Sequence, residues 1–214
     1  MFAIVAALPV ATRAEDNLLK HTEFKMKGEE VVGWDDRSMT KQKVSVDSEA
    51  GHAAARTALR VDIDKDGSTH HGAILQNVRV KPETTYRISG DIKAGSKRMA
   101  YIQIKQWTGR KQEERITTGN NEKEGQWESL SEQFTTGKET TLLQVHCRFR
   151  MSQEHIGKAA WFANLSLVEV TGDAQKPDAA PDADKPAADG TDEPAAPAVA
   201  QSSQGLGHQG QQTR

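Results

Sequence analysis

The chain has 214 residues, a formal net charge of -2 and one cysteine, Cys147. Its length allows one domain with a proper core plus accessory segments. A near-neutral balance argues against a dedicated nucleic-acid binder, which carries a basic excess, and a lone cysteine excludes an intrachain disulfide or a multi-cysteine zinc site.

Phe2 to Val10 is apolar, about as long as a signal-peptide core and too short to span a bilayer. Thr12 and Ala14 resemble a signal-peptidase site, although no basic segment precedes the apolar run. Residues 1–14 are therefore expected to be a signal peptide, Glu15 the first mature residue, and the protein secreted or periplasmic. Asn17 to Met26 reads as an opening strand, and Gly33-Trp34 starts a further segment. Asp35 to Ser38 is a loop. Val44 to Asp47 and Thr57 to Ile63 are strand candidates, with Ala53-Ala54-Ala55 between them compatible with a short helix. Asp62 to Gly67 begins like a calcium loop, but Ala73 stands where an EF-hand needs glutamate, so a solvated hairpin loop is expected. His70 and His71 point to opposite sides of an extended chain and make a loop rim, not a chelating pair.

Ala73 to Thr108 reads as three consecutive strands with two turns. Ile74 to Val80 is apolar and β-branched, and Lys81-Pro82-Glu83 breaks it. Tyr86, Ile88, Gly90 and Ile92 alternate with Arg87, Ser89, Asp91 and Lys93; after a turn, Ala100, Ile102, Ile104 and Gln106 alternate with Tyr101, Gln103, Lys105 and Trp107. A period of two means strands with one buried face. Thr108 to Gln126 is polar, with a strand around Arg115 to Thr118 inside long loops. Trp127 to Phe134 alternates again. In Thr141 to Arg150, Leu143, Val145, Cys147 and Phe149 oppose Gln144, His146, Arg148 and Arg150. Cys147 is thus expected to be a buried, inert thiol. Ala159 to Val170 closes the domain. About eight or nine strands without a long periodic helix make an all-β domain over residues 15–170. Residues 171–214 hold seven acids, three bases and no aromatic ring, and are expected to be a disordered Ala/Pro/Asp-rich, then Gln/Gly-rich tail.

The order of LLKHTEF, Gly33-Trp34, ALRVD from Ala58, YRISGDIKA from Tyr86, Gly125-Gln126-Trp127 with Phe134, and the closing AWFANLSLVEV resembles one family. It is similar to the jelly-roll carbohydrate-binding modules of the family-four, family-nine and family-sixteen type, within the galactose-binding-domain-like folds. The resemblance implies a jelly-roll β-sandwich that binds glycans on a concave sheet face. It also implies that Trp34, Trp127 and Trp161 are structural, and Tyr86 joins them on parity. Many such modules hold a calcium ion through an acid after the opening Phe and a carboxylate in the closing motif. Here Lys25 follows Phe24 and Ala163-Asn164 replaces the acidic pair, so calcium is disfavoured. Glu23 and Asn164 are the remaining weak candidates, and no other cofactor is expected.

No catalytic constellation is present in the sequence. Glu113-Glu114 are solvated loop acids, because adjacent positions fix no carboxylate separation. The polar partners of three strands are expected to share one sheet surface. From them Asp91, Tyr101, Gln103, Lys105, Trp107, Gln144, His146, Arg148 and Arg150 form the expected carbohydrate site. Aromatic rings cover the apolar face of a pyranose, while amides and guanidinium groups fork to its hydroxyls. The basic excess among these positions points to an acidic or sulfated glycan. The expected protein is a non-catalytic, monomeric polysaccharide binder. The alternatives are an envelope-associated structural or protein-interaction domain and, third, a small polysaccharide lyase or hydrolase using Tyr101, His146 and Arg148.

Overall fold

The computed structural model describes residues 16–170, apart from 39, 49–51, 54 and 68–70. The expected signal peptide, the tail and His70 lie outside the described residues. Among those described, the strands are β1 (Met26–Lys27), β2 (Glu30–Val31), β3 (Asp35–Asp36), β4 (Lys43–Asp47), β5 (Ala58–Asp62), β6 (His71–Arg79), β7 (Thr85–Ala94), β8 (Ala100–Thr108), β9 (Lys111–Thr117), β10 (Glu128–Thr135), β11 (Leu142–Arg150) and β12 (Ala159–Glu169). A single 3-10 turn covers Gln153–His155. A first sheet has the order β10-β7-β12-β5-β4 and a second the order β3-β6-β11-β8-β9; β1 and β2 form a small hairpin. The two sheets make the expected jelly-roll sandwich.

Alternation builds the core. The first sheet turns Leu59, Val61, Tyr86, Ile88, Ile92, Ala160, Phe162 and Leu167 inward, all buried. The second turns Ile74, Ile102, Ile104, Leu143, Val145, Cys147 and Phe149 to meet them. Each valine, leucine, isoleucine or phenylalanine among them contributes roughly 1.5–3 kcal/mol when fully buried. Burial also pushes the Cys147 thiol well above its ordinary range, leaving it protonated and inert. At the centre, β12 shifts register between Ala163 and Ser166, with Asn164 at a φ of 50°, and Leu165 is buried beside the shift. A Cβ on Gly90 would come within 2.5 Å of Leu165 and 2.8 Å of Ile102. Glycine at this position lets side chains of both sheets close over the backbone, and a larger residue would have to displace them.

Several expectations change. Asn17 to Phe24 is not a strand: Asn17 Oδ1 accepts from the Leu19 and Leu167 amides, and left-handed turns at His21 and Phe24 bend the chain away. The loop after Asp62 is not a hairpin, because β5 and β6 belong to different sheets. For the same reason β6, β7 and β8 do not share one sheet surface. β7 crosses to the first sheet and β8 returns to the second. Glu113 and Glu114 also lie on β9, not in a loop; Glu113 pairs with Lys111 and Glu114 accepts from Gln106.

Gln106 is the polar residue on β8's inner parity, and its amide is fully engaged. Nε2 donates to Glu114 at 3.0 Å and to the Thr135 carbonyl at 3.3 Å. Oε1 accepts from the Gly137 amide and the Thr140 hydroxyl, each at 3.1 Å. One side chain thus ties β8 of the second sheet to the end of β10 in the first. Gln106→Leu removes all four bonds, leaves the buried Thr140 hydroxyl without this partner, and is expected to lower stability by about 1–3 kcal/mol. The check is a lower urea midpoint at unchanged denaturant slope; a loss below half a kcal/mol contradicts the clamp.

Candidate functional site

The outer face of the second sheet is laid out by register. One row runs Asn77, Gln144, Lys105, Arg115 across β6, β11, β8 and β9. The next runs Leu75, His146, Gln103, Thr117, and the third Ala73, Arg148, Tyr101. Arg150 faces His71 at one end, and Leu142 lies between Arg79 and Trp107 at the other. Tyr101, Gln103, Lys105, Trp107, Gln144, His146, Arg148 and Arg150 therefore share one surface, as alternation within β8 and β11 requires.

His146 lies at the centre of this face and is only 3% exposed. Burial, then the positive charges of Lys105, Arg148 and Arg115, pushes its pKa down to about 3, so the ring is neutral near pH 7. Burial and the same two arginines hold the Lys105 ammonium below its usual range. On this face Trp107 Nε1, both ring nitrogens of His146, Arg148 Nε and Arg150 Nε are buried without a hydrogen-bond partner. Among the described residues no such atom lies on the other sheet. Folded proteins pair nearly all buried polar groups. A concentration of unpaired ones on a single surface is what an unfilled polar binding face presents.

Residues 16–152 match the family model described as a carbohydrate binding domain. The chain belongs to that family. Solved structures share the fold. The xylan-binding CBM22-1 domain of Paenibacillus barcinonensis superposes with a TM-score of 0.54 at 16% identity, covering 76% of this chain and 99% of that one. TmCBM61, solved with β-1,4-galactotriose, gives 0.51 at 15% identity, covering 72% and 99%. The enzymatically active domain of a bacteriophage CBA120 tailspike gives 0.58 at 9% identity; the match covers 72% of this chain but 21% of the tailspike domain. No curated protein matches the sequence.

In this carbohydrate binding domain one expected site residue is elsewhere. Asp91 lies on β7, hence on the outer face of the first sheet, where it accepts from Ser129 Oγ and from Asn164 Nδ2, each at 2.5 Å. Alternation assigned its side correctly, but side within a strand does not say which sheet the strand joins. Two of the tryptophans expected to be structural lie outside the core. Trp34 and Tyr86 are core, at 5% and 1% exposure. Trp127 and Trp161 are instead half-exposed outside the first sheet. Lys93 Nζ sits over both rings, at 5.2 Å and 4.3 Å; Arg60 lies over Trp161 and His52 stacks on Trp127. With cations and an imidazole against them, these rings staple strands together and offer a sugar little free face. Conversely, the face assembled on the second sheet includes Arg115, Asn77 and Arg79, which alternation in β8 and β11 alone could not supply. The Arg115-Ile116-Thr117 alternation was the available signal for the first; apolar Ala73 and Leu75 masked the outer side of β6.

The calcium candidates have other engagements. Exposed Glu23 pairs with Lys25 at 3.6 Å. The Asn164 amide donates to the His52 carbonyl and to Asp91. Neither arrangement is an oxygen cage for a hard cation.

The low pKa of His146 has a defined sign in stability. The unfolded chain takes up its proton near pH 6.5, whereas the folded one resists until about 3. Above pH 6.5 this residue adds no pH dependence. Below it stability falls as pH falls, by up to about 1.4 kcal/mol per unit from this group. His146→Leu is expected to show a shallower loss than the parent between pH 6.5 and 4 in denaturant titrations; parallel curves count against a buried neutral ring.

Proposed function

We propose that this domain binds a polysaccharide, without acting on it, through the outer, concave face of the second sheet. The observation that carries this is the set of unpaired buried nitrogens on the same surface as Tyr101 and Trp107. The rings offer an apolar face to a pyranose, and Gln103, Gln144 and the arginines fork to its hydroxyls. Family membership supports the carbohydrate class, and the excess of cations over acids on the face favours an acidic chain. With its pKa lowered to about 3, His146 is a weak base for removing a carbon-bound proton, which speaks against a lyase even though Tyr101, His146 and Arg148 adjoin. The domain is proposed to work as a monomer in the secreted or periplasmic space, where polysaccharides are met; the apolar run Phe2 to Val10 supports export. Among the described residues no helix is long and apolar enough to cross a membrane.

Binding is expected in the millimolar to micromolar range, about -4 to -8 kcal/mol. Trp107→Ala, Tyr101→Ala and Arg148→Ala should each weaken it about tenfold or more, near 1.4 kcal/mol, with the fold kept. Affinity electrophoresis or a glycan array reads this directly. Full binding in all three variants moves the site off this sheet and reopens a protein-interaction role.

Calcium is proposed to be unnecessary. Adding it should leave the thermal midpoint unchanged, and prolonged incubation with uronate polymers should generate no unsaturated-product absorbance. A midpoint rise of about 3 °C or more, the equivalent of near 1 kcal/mol, or a growing absorbance, contradicts these two points respectively.

A further inference from the structure

Resting on that reading, we propose that Lys105, Arg115 and Arg148, gathered around His146, form a subsite for the anionic substituent of a sugar residue: a uronate carboxylate or a sulfate ester.

The register brings the groups together. Lys105 faces Arg115 on one side and Gln144 on the other, and Arg148 lies two rows along, with His146 in between. All three cations bear on His146, and Arg115 and Arg148 both bear on Lys105. They act against one another. Among the described residues none of the three has an ion pair with a carboxylate. The acids closest in register have partners of their own: Asp35, opposite Leu75, pairs with Arg37, and Glu113 pairs with Lys111. An ordinary solvated sheet face interleaves signs, because like charges directly opposite are destabilising. Here three cations converge on a floor that carries no compensating acid.

The floor itself points to a ligand. His146 is all but enclosed, at 3% exposure, and neither ring nitrogen has a partner. A neutral imidazole keeps one N–H donor and one acceptor. Arg148 Nε is a second buried, unpaired donor beside it. Planar guanidinium groups match a carboxylate or sulfate through paired N–H donors, while the ammonium acts as a point charge. An anion held here would engage Lys105, Arg115 and Arg148 and meet the His146 N–H. A neutral sugar would leave the cations facing one another. Trp107 lies one row beyond Lys105 and Tyr101 faces Arg148, so the aromatic contacts flank the charged centre and a chain of several residues would span both.

The test uses the full chain in calorimetry and affinity electrophoresis against four probes: polygalacturonate, a sulfated galactan, neutral galactan and a single-stranded DNA oligonucleotide. At least one acidic polysaccharide should bind about tenfold more tightly than neutral galactan. Raising ionic strength from about 0.05 M to 0.5 M, which shortens the screening length several-fold, should weaken the acidic ligand about fivefold or more and leave neutral galactan nearly unchanged. Arg115→Gln, on exposed β9, and Arg148→Gln should bring acidic and neutral affinities within about threefold of each other, whereas Trp107→Ala should weaken both alike. The first two probes separate carboxylate from sulfate. Equal, salt-insensitive binding of neutral and acidic polysaccharides overturns the anion subsite and leaves the binding face standing. DNA binding as tight as the best acidic glycan overturns the sugar-borne anion in favour of general polyanion attraction. Binding of none of the polysaccharides overturns both the subsite and the face.

Discussion

The close approach of the two sheets at Gly90 is the contact on which the rest of the domain depends. Leu165, buried where β12 shifts register, and Ile102 of β8 meet over a core position that has no side chain. Because Ile102 packs there, its neighbours Tyr101 and Gln103 must turn away from the core. The same holds along β11, where Val145 and Cys147 are buried on either side of His146. The proposed binding face is thus the obverse of the core. Its residues are placed by apolar packing on the other side of the backbone, not by hydrogen bonds among themselves. Such a surface is held rigidly while its polar groups stay available, which keeps the ordering cost of binding low.

Most of this was legible in the chain. The period of two in Ala100 to Trp107 and in Leu142 to Arg150 assigned each residue to a side, and both strands lie in one sheet as neighbours. Asp91 shows where the signal ends. Its strand alternates just as clearly, yet Lys81 to Thr84 carries the chain from one sheet to the other. No residue pattern within β7 records which layer it joins. Trp127 and Trp161 lie outside the core for a related reason. An aromatic ring signals burial of area, but Lys93, Arg60 and His52 cover these rings from outside, and those partners come from other strands and a loop. Arg115 required the β8–β9 pairing, whose register shifts between Lys105 and Trp107.

The two outer faces make opposite use of similar residues. Outside the first sheet, charge and aromatic groups are matched: Arg60 with Asp62, Trp161 Nε1 with Asp47, Asp91 with Ser129 and Asn164. That surface contributes to stability. Outside the second sheet, cations adjoin cations and buried nitrogens go unpaired, at a cost of roughly 1–3 kcal/mol for each truly unsatisfied group. A sandwich with a continuous core of this size tolerates such a cost, and stability surrendered on one face is a common accompaniment of a binding site.

The state of His146 links these points. The charges that would repel a proton from its ring are the charges that would attract an anion to the surface. Thermodynamic linkage makes the two reciprocal: an anion that offsets Lys105, Arg115 and Arg148 must also raise the affinity of His146 for a proton. With the pKa starting near 3, a moderate rise still leaves the ring neutral at physiological pH. The face therefore keeps a neutral donor at its floor and fixed cations at its rim throughout the range in which uronates and sulfate esters are ionised. On the proposed reading, selectivity for an anionic sugar would rest on the cations around the ring, and the histidine would add a directed hydrogen bond without adding a pH switch.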